Sequence, residues 1–195
     1  MTKLQIAARR PRNEFLDCHR HSRRDGSVAI AVYNGLVAGR NQAQTAWSQI
    51  DVQLKRRHDL IPNLVQVVKD AMGYEQETLT KVVQARNAAV AATGPAQAGV
   101  AEAALTQATR GLFALVESYP QLKANDNIAQ LQEELTTTEN KIAFARQFYN
   151  DSVNTYNDRR QSFPAVLAAA SLGFGPIELF SMPETEREVP KVALR

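Results

Sequence analysis

Four times along this chain apolar residues recur at alternating steps of three and four, and each run ends where a helix breaker stands. Leu36, Arg40, Ala43, Trp47, Ile50, Leu54, Arg57 and Ile61 fall on one stripe of a helix. Beyond Pro62, a second stripe of Leu64, Val67, Val68, Ala71, Leu79, Val82, Val83 and Ala89 loosens near Gly73 and stops at Thr93-Gly94-Pro95. Ala101, Leu105, Ala108, Leu112, Leu115, Tyr119 and Leu122 make a third, interrupted at Pro120. The fourth is the longest: Ile128, Leu131, Leu135, Thr138, Ile142, Ala145, Tyr149, Ser152 and Tyr156, closing at Phe163-Pro164. No run alternates with the period of two that a strand requires.

The expected fold is therefore all-α: an elongated antiparallel four-helix bundle with coiled-coil-like seams. Short links make successive helices antiparallel, and helices of about 20 to 40 residues, roughly 30 to 60 Å, hide their stripes only against one another. Pro62 is read as the first turn of the second helix, where a missing N–H costs nothing, and Asn125 or Asp126 as the cap of the fourth. Residues 1–26 are expected to be a disordered basic arm, 27–180 the bundle and 181–195 a tail. After Phe163 a short alanine-rich helix should lead to a loop through Gly173 to Pro176. Leu172, Phe174, Ile177, Leu179 and Phe180 should then fold back over one bundle end.

At 195 residues and 44% apolar, the chain can bury one substantial core. The net charge of +3 is unevenly placed: residues 1–26 hold seven Lys/Arg against three acids, a net +4, which leaves −1 for the rest. A nucleic-acid binder carries its basic excess on the folded unit, so no nucleic-acid partner is expected. Cys18 is the single cysteine, which excludes an intrachain disulfide and a thiolate metal cage. No stretch reaches the roughly 20 apolar residues that cross a bilayer. The uncharged run from Gly26 to Gly39 is short and holds Asn34, while Gln161 to Ile177 is cut by Pro164, Gly173, Gly175 and Pro176. A secretory signal would need an n-region containing acids and only a six-residue apolar patch, a poor fit.

The motifs read mostly as structure. Lys55, Arg56, Arg57 and His58 are consecutive, so about 100° of rotation per residue scatters them around a helix instead of lining one groove-facing side. Asp51 and Asp59 lie within intrahelical reach of Lys55 and Arg56. Arg57, on the stripe, should lay its stem along apolar neighbours with its guanidinium near the bundle end, paired with a carboxylate of another helix. His58 reads as a helix-end histidine beside the negative end of the dipole. A di-metal bundle needs Glu-x-x-His pairs, but Leu16, Cys18 and Lys55 stand three before His19, His21 and His58. Neither Cys18 with His19 and His21 nor any other set is expected to hold a metal, and no cofactor is expected. No G-x-S-x-G occurs, and Glu133, Glu134 and Glu139 read as a solvated face. Tyr-Asn recurs at Tyr33-Asn34, Tyr149-Asn150 and Tyr156-Asn157. Tyr149 and Tyr156 fall on the stripe, so their hydroxyls must find partners on a facing element. Arg40, Asn41, Arg57, Arg146, Tyr149, Asn150 and Tyr156 together make the candidate polar layer or interaction site.

The segments YNGLVAGRNQAQTAWSQIDVQLKRRHDLIPNLVQVVK (33–69), ARNAA (85–89), YPQLKANDNIAQLQEELTTTENKIAFARQFYNDSVNTYN (119–157) and FPAVLAAASLGF (163–174), in that order, resemble the LemA family. The resemblance covers about residues 28–180. It implies an antiparallel helical bundle at a bacterial membrane, tethered in relatives by an N-terminal single-pass helix, with no established enzymatic activity and no catalytic or cofactor residues to carry over. Two departures stand out. Of the family's apolar span only Ser27 to Val32 remains, so either the anchor is lost or the start is misplaced. Tyr74-Glu75 also stands where relatives carry His-Glu. The expectation is a non-catalytic, envelope-associated scaffold that binds a protein partner and is membrane-associated by resemblance, while the chain as given reads as soluble. The alternative is a small-ligand or peptide-binding bundle that uses the Tyr/Asn/Arg layer.

Overall fold

The computed structural model describes residues 14–71 and 76–181, with side chains from residue 27 onward. Five helices follow in order: α1 (Glu14–Ala71), α2 (Gln76–Ala91), α3 (Pro95–Ser118), the single turn α4 (Pro120–Lys123) and α5 (Asp126–Gln161). A 3₁₀ turn (Ala165–Leu167) and an irregular segment, 168–181, complete the described chain. With 58 residues at 1.5 Å each, α1 is about 87 Å long and forms the spine of an elongated all-helical bundle. α5 packs antiparallel along it, while α2 and α3 form a hairpin against its C-terminal half.

The apolar stripes explain that arrangement. Ile61, Leu64 and Val68 of α1 meet Leu79 and Val82 of α2, Leu105, Leu112 and Val116 of α3, Leu122 of α4, and Ile128 and Leu135 of α5. Farther up the spine, Ala43, Ala46, Ile50 and Leu54 pack on Ile142, Tyr149 and Val153 of α5, with Ala98 and Phe180 closing the side. At the upper end Leu36 meets Tyr156, Ala165, Ala169 and Phe174. Gly94, at φ 80°, turns the chain from α2 into α3 in a conformation that favours glycine. Asn125 caps α5 by accepting from the N–H groups of Asn127 (3.0 Å) and Ile128 (3.3 Å).

Three expectations need correction. Pro62 does not open a helix; it lies inside α1, which continues to Ala71. An internal proline deprives the carbonyl four residues earlier of its donor. That carbonyl belongs to His58, and Arg86 Nε of α2 donates to it at 3.2 Å, which offsets the loss. Because α1 runs on, Arg57 and His58 sit in mid-helix and not at a bundle end. The apolar tail residues do not cap an end either: after Gly173 (φ 77°) the segment turns back and runs down the groove between α1 and α5. α1 itself begins at Glu14. Residues 1–13 and 182–195 lie outside the described residues.

Candidate functional site

Two polar arrangements are built into the bundle. The first joins α1 to α3. Glu102, only 1% exposed, accepts from Arg57 Nη1 at 3.1 Å through Oε2, and its Oε1 lies 2.6 Å from His58 Nε2. Arg57, 3% exposed, gives its other nitrogen to Thr106 Oγ1 at 2.9 Å, with Glu139 of α5 at 3.8 Å. Both carboxylate oxygens of Glu102 are thus taken by cationic or N–H partners, and neither cleft described below reaches the cluster. Buried ion pairs add little net stability, because desolvation consumes most of the Coulomb gain. Their effect is on alignment: sliding α3 by one turn would leave Glu102 buried without its partners.

The second arrangement holds the C-terminal strap to α5. Tyr149 and Tyr156 donate to the carbonyls of Glu178 (2.7 Å) and Gly175 (2.8 Å). Asn150 donates to Phe180 O (3.1 Å) and accepts from Phe180 N (2.9 Å), while Asn157 does the same with Ile177 O (2.9 Å) and Ile177 N (3.1 Å). Seven residues of helix advance about 10.5 Å, and three residues of nearly extended chain cover about the same distance, so the two Tyr-Asn pairs match a three-residue period in the strap. Burial of the Tyr149 hydroxyl, assisted by the Glu178 charge, pushes its pKa up to about 12. Trp47 lies against both Tyr149 (5.4 Å between ring centroids) and Phe180 (6.0 Å).

Of the seven residues picked from sequence, Arg57 belongs to the ion cluster and Tyr149, Asn150 and Tyr156 to the strap ladder. The tyrosine hydroxyls meet main-chain carbonyls of the strap, not side chains of a facing helix. Arg40 stacks over the Phe174 ring at 5.0 Å and, with Asn41, Gln44, Trp47, Tyr149 and Ile177, lines an open cleft of about 470 Å³. Arg146 is half-buried on α5 and does not line that cleft. Near the upper end Val32, Leu36, Arg159, Phe163 and Pro164 line a smaller hollow of about 230 Å³. Lys55 is exposed, and Arg56 reaches across to Glu134 of α5 (3.6 Å) instead of pairing along its own helix. The side chains of Cys18, His19 and His21 lie outside the described ones. Among the described residues no group of three or more His, Cys, Asp or Glu could hold a metal ion, and no helix is long and apolar enough to cross a membrane.

Two participants escaped the sequence reading. Glu102 carries a signal, being the only charged residue between Arg86 and Arg110. Asn157 was visible as half of a Tyr-Asn dipeptide, seven residues from Asn150.

The chain is 27% identical over 164 residues to Protein LemA of Metamycoplasma hominis, covering 82% of this chain and 74% of that protein. It is 26% identical over 174 residues to the magnetosome protein MamQ of Magnetospirillum gryphiswaldense and equally to MamQ 1 of Paramagnetospirillum magneticum, covering 76% of this chain and 64% of each relative. The LemA family pattern itself matches residues 46–194, most of the chain. With its four long helices and its match to that pattern, this chain belongs to the LemA family.

Proposed function

We propose that this protein is a non-catalytic scaffold that works at a membrane surface and presents a rigid helical rod to a protein partner. The observation that carries this reading is the exposed apolar surface where α5 gives way to the 163–172 segment. Phe163 is 81% exposed, Leu167 76%, and Val166 and Leu172 about half, and Val28 and Ile30 of α1 are exposed as well. Large exposed side chains concentrated in one region of a helical rod mark a surface that meets something apolar. The basic residues of the 1–26 segment add attraction to anionic lipid, worth about 1 kcal/mol each near the surface. The envelope setting is supported by likeness to the LemA family. For the partner, the outward face of α5 offers Phe144 and Phe148, one turn apart and both exposed.

Flotation with anionic vesicles tests the membrane half. The wild-type chain should rise with the vesicles in low salt, and Phe163→Ser with Leu167→Ser should largely abolish this without changing helical content. A wild-type chain that stays in the dense fraction would contradict it. A photo-crosslinking residue placed at Phe144 tests the partner half in the native cell, with exposed Thr137 as the control position. A discrete adduct from 144 and none from 137 is expected; equal or no labelling from both would count against it.

A second reading is favoured by the cleft of about 470 Å³ beside the strap. Arg40, Asn41 and Gln44 offer a cation and two amides above the Trp47 indole, a combination suited to a small anionic ligand with a flat apolar body. Arg40→Ala should abolish any such binding measured by calorimetry.

A further inference from the structure

The hydrogen bonds that hold the strap do not depend on its own sequence. All six hydrogen bonds from Tyr149, Asn150, Tyr156 and Asn157 end on its main chain. Side chains contribute only at every third residue: Phe174 and Phe180 are buried and Ile177 is partly buried, whereas residues 175, 176, 178 and 179 face outward. Pro176, which has no N–H to offer, occupies a position from which the ladder asks for none. The walls are shaped for such a passenger. Arg40 and Tyr33 cover Phe174, Trp47 covers Phe180, and a methyl on Gly99 would collide with the Ser181 carbonyl.

We propose that the channel between α1, α3 and α5 is a receptor for extended peptide segments with a large apolar residue at every third position, and that residues 174–181 are its resident ligand. A partner protein docks by threading such a segment in place of the strap. Each Asn amide pairs with the N–H and C=O of one residue, as a neighbouring strand would, so any extended segment of the right period can satisfy it. Specificity then comes from the two aromatic seats at positions one and seven and from the middle aliphatic. This rests on the reading of the protein as a scaffold for a protein partner, and it names the chemistry of that partner.

A tethered resident competes at an effective concentration on the order of millimolar, so the intact chain masks its own groove. The test therefore uses the full-length chain carrying Phe174→Ala and Phe180→Ala, titrated into a fluorescent peptide of sequence GFGPIELFS and followed by anisotropy. Saturable binding is expected, at least about tenfold tighter than to the wild-type chain, in keeping with removal of an intramolecular competitor. It should vanish when Asn150→Ala and Asn157→Ala are added, and for a peptide in which the two phenylalanines are each moved by one position. No saturable binding by a variant of wild-type helical content overturns the proposal, as does binding indifferent to the asparagines or to peptide register. Should the variant lose helical content, the wild-type chain supplies the answer: excess peptide must speed hydrogen exchange at the Ile177 and Phe180 amides, and unchanged exchange overturns the proposal. Dimerisation of the wild-type chain that disappears with the asparagine substitutions would make a second copy the occupant and overturn a heterologous partner. Failure of the peptide leaves the exposed apolar surface at 163–172 and the outer face of α5 untouched, and flotation and crosslinking report on those separately.

Discussion

At the scale of single residues, the buried polar groups are employed in holding the chain to itself. Glu102 is the clearest case. Removing one partner of a buried ion pair leaves the others desolvated and unpaired, at a cost of about 3 to 5 kcal/mol. Glu102→Ala should therefore lower unfolding stability by that amount in a urea titration, because Arg57 and His58 would then face each other without the carboxylate. Replacing both members, Arg57→Met with Glu102→Leu, should cost clearly less than the two single changes added together. Additive costs would show that the cluster is not coupled. Tyr149 makes a pH-dependent prediction. Its hydroxyl is raised from 10 to about 12 in the folded state, so between those values the unfolded chain has released a proton that the folded chain still holds. Stability must then fall as pH rises from about 10 towards 12, and below that window this group contributes no pH dependence. Tyr149→Phe should lose the hydrogen bond to Glu178 O at neutral pH and flatten the alkaline decline; an unchanged slope in urea titrations at successive pH values would contradict the assignment.

The elements show where local rules and tertiary structure part company. The stripes fixed the existence of four long helices, since three-and-four spacing reports directly on a buried face. The break at Thr93-Gly94-Pro95 was legible from local rules, and so was a cap at Asn125 or Asp126, of which Asn125 serves. Pro62 was misread because the rule for proline concerns the donor it lacks, while the group that repairs the damage, Arg86, lies on another helix and has no sequence signature linking it to position 58. The repair predicts coupling. Arg86→Ala should destabilise the wild-type chain by about 1 to 3 kcal/mol, the cost of stranding a partly buried carbonyl. In a Pro62→Ala background, where residue 62 can bond His58 O along the helix, the same change should cost little. Equal losses in both backgrounds, measured by thermal or urea unfolding, would refute the compensation. The strap was half legible: Tyr149 and Tyr156 announced partners by their heptad spacing, but those partners are main-chain atoms, which look alike in every sequence. The ladder is visible only once the tail is seen to run along α5 and not over its end.

For the whole molecule, the consequence is a rod with two differently dressed regions. The C-terminal half of α1 is wrapped by α2, α3 and α5 around a continuous apolar core, with the ion cluster of Glu102 setting the alignment of α3. From Leu36 to Leu54 of α1 the bundle is thinner, made chiefly of α1, α5 and the strap, and this stretch carries the open cleft. Glycine at 99 lets the strap pass close to α3, so Gly99→Ala should displace residue 181 and loosen Phe180 from Trp47, seen as a shift in tryptophan emission. Unchanged emission would mean that the strap does not press on α3. The open cleft and the exposed apolar side chains therefore gather where least helix surrounds α1 and the strap stands in for a missing neighbour.

Residue-resolved hydrogen exchange on the native chain tests most directly whether α5 reads the strap through its main chain. Amides of Ile177 and Phe180, which donate to Asn157 and Asn150, should be protected, while those of Gly175, Glu178 and Leu179 exchange freely, and Asn150→Ala with Asn157→Ala should erase the contrast. Uniform exchange along the segment, or protection that survives loss of both asparagines, would contradict it.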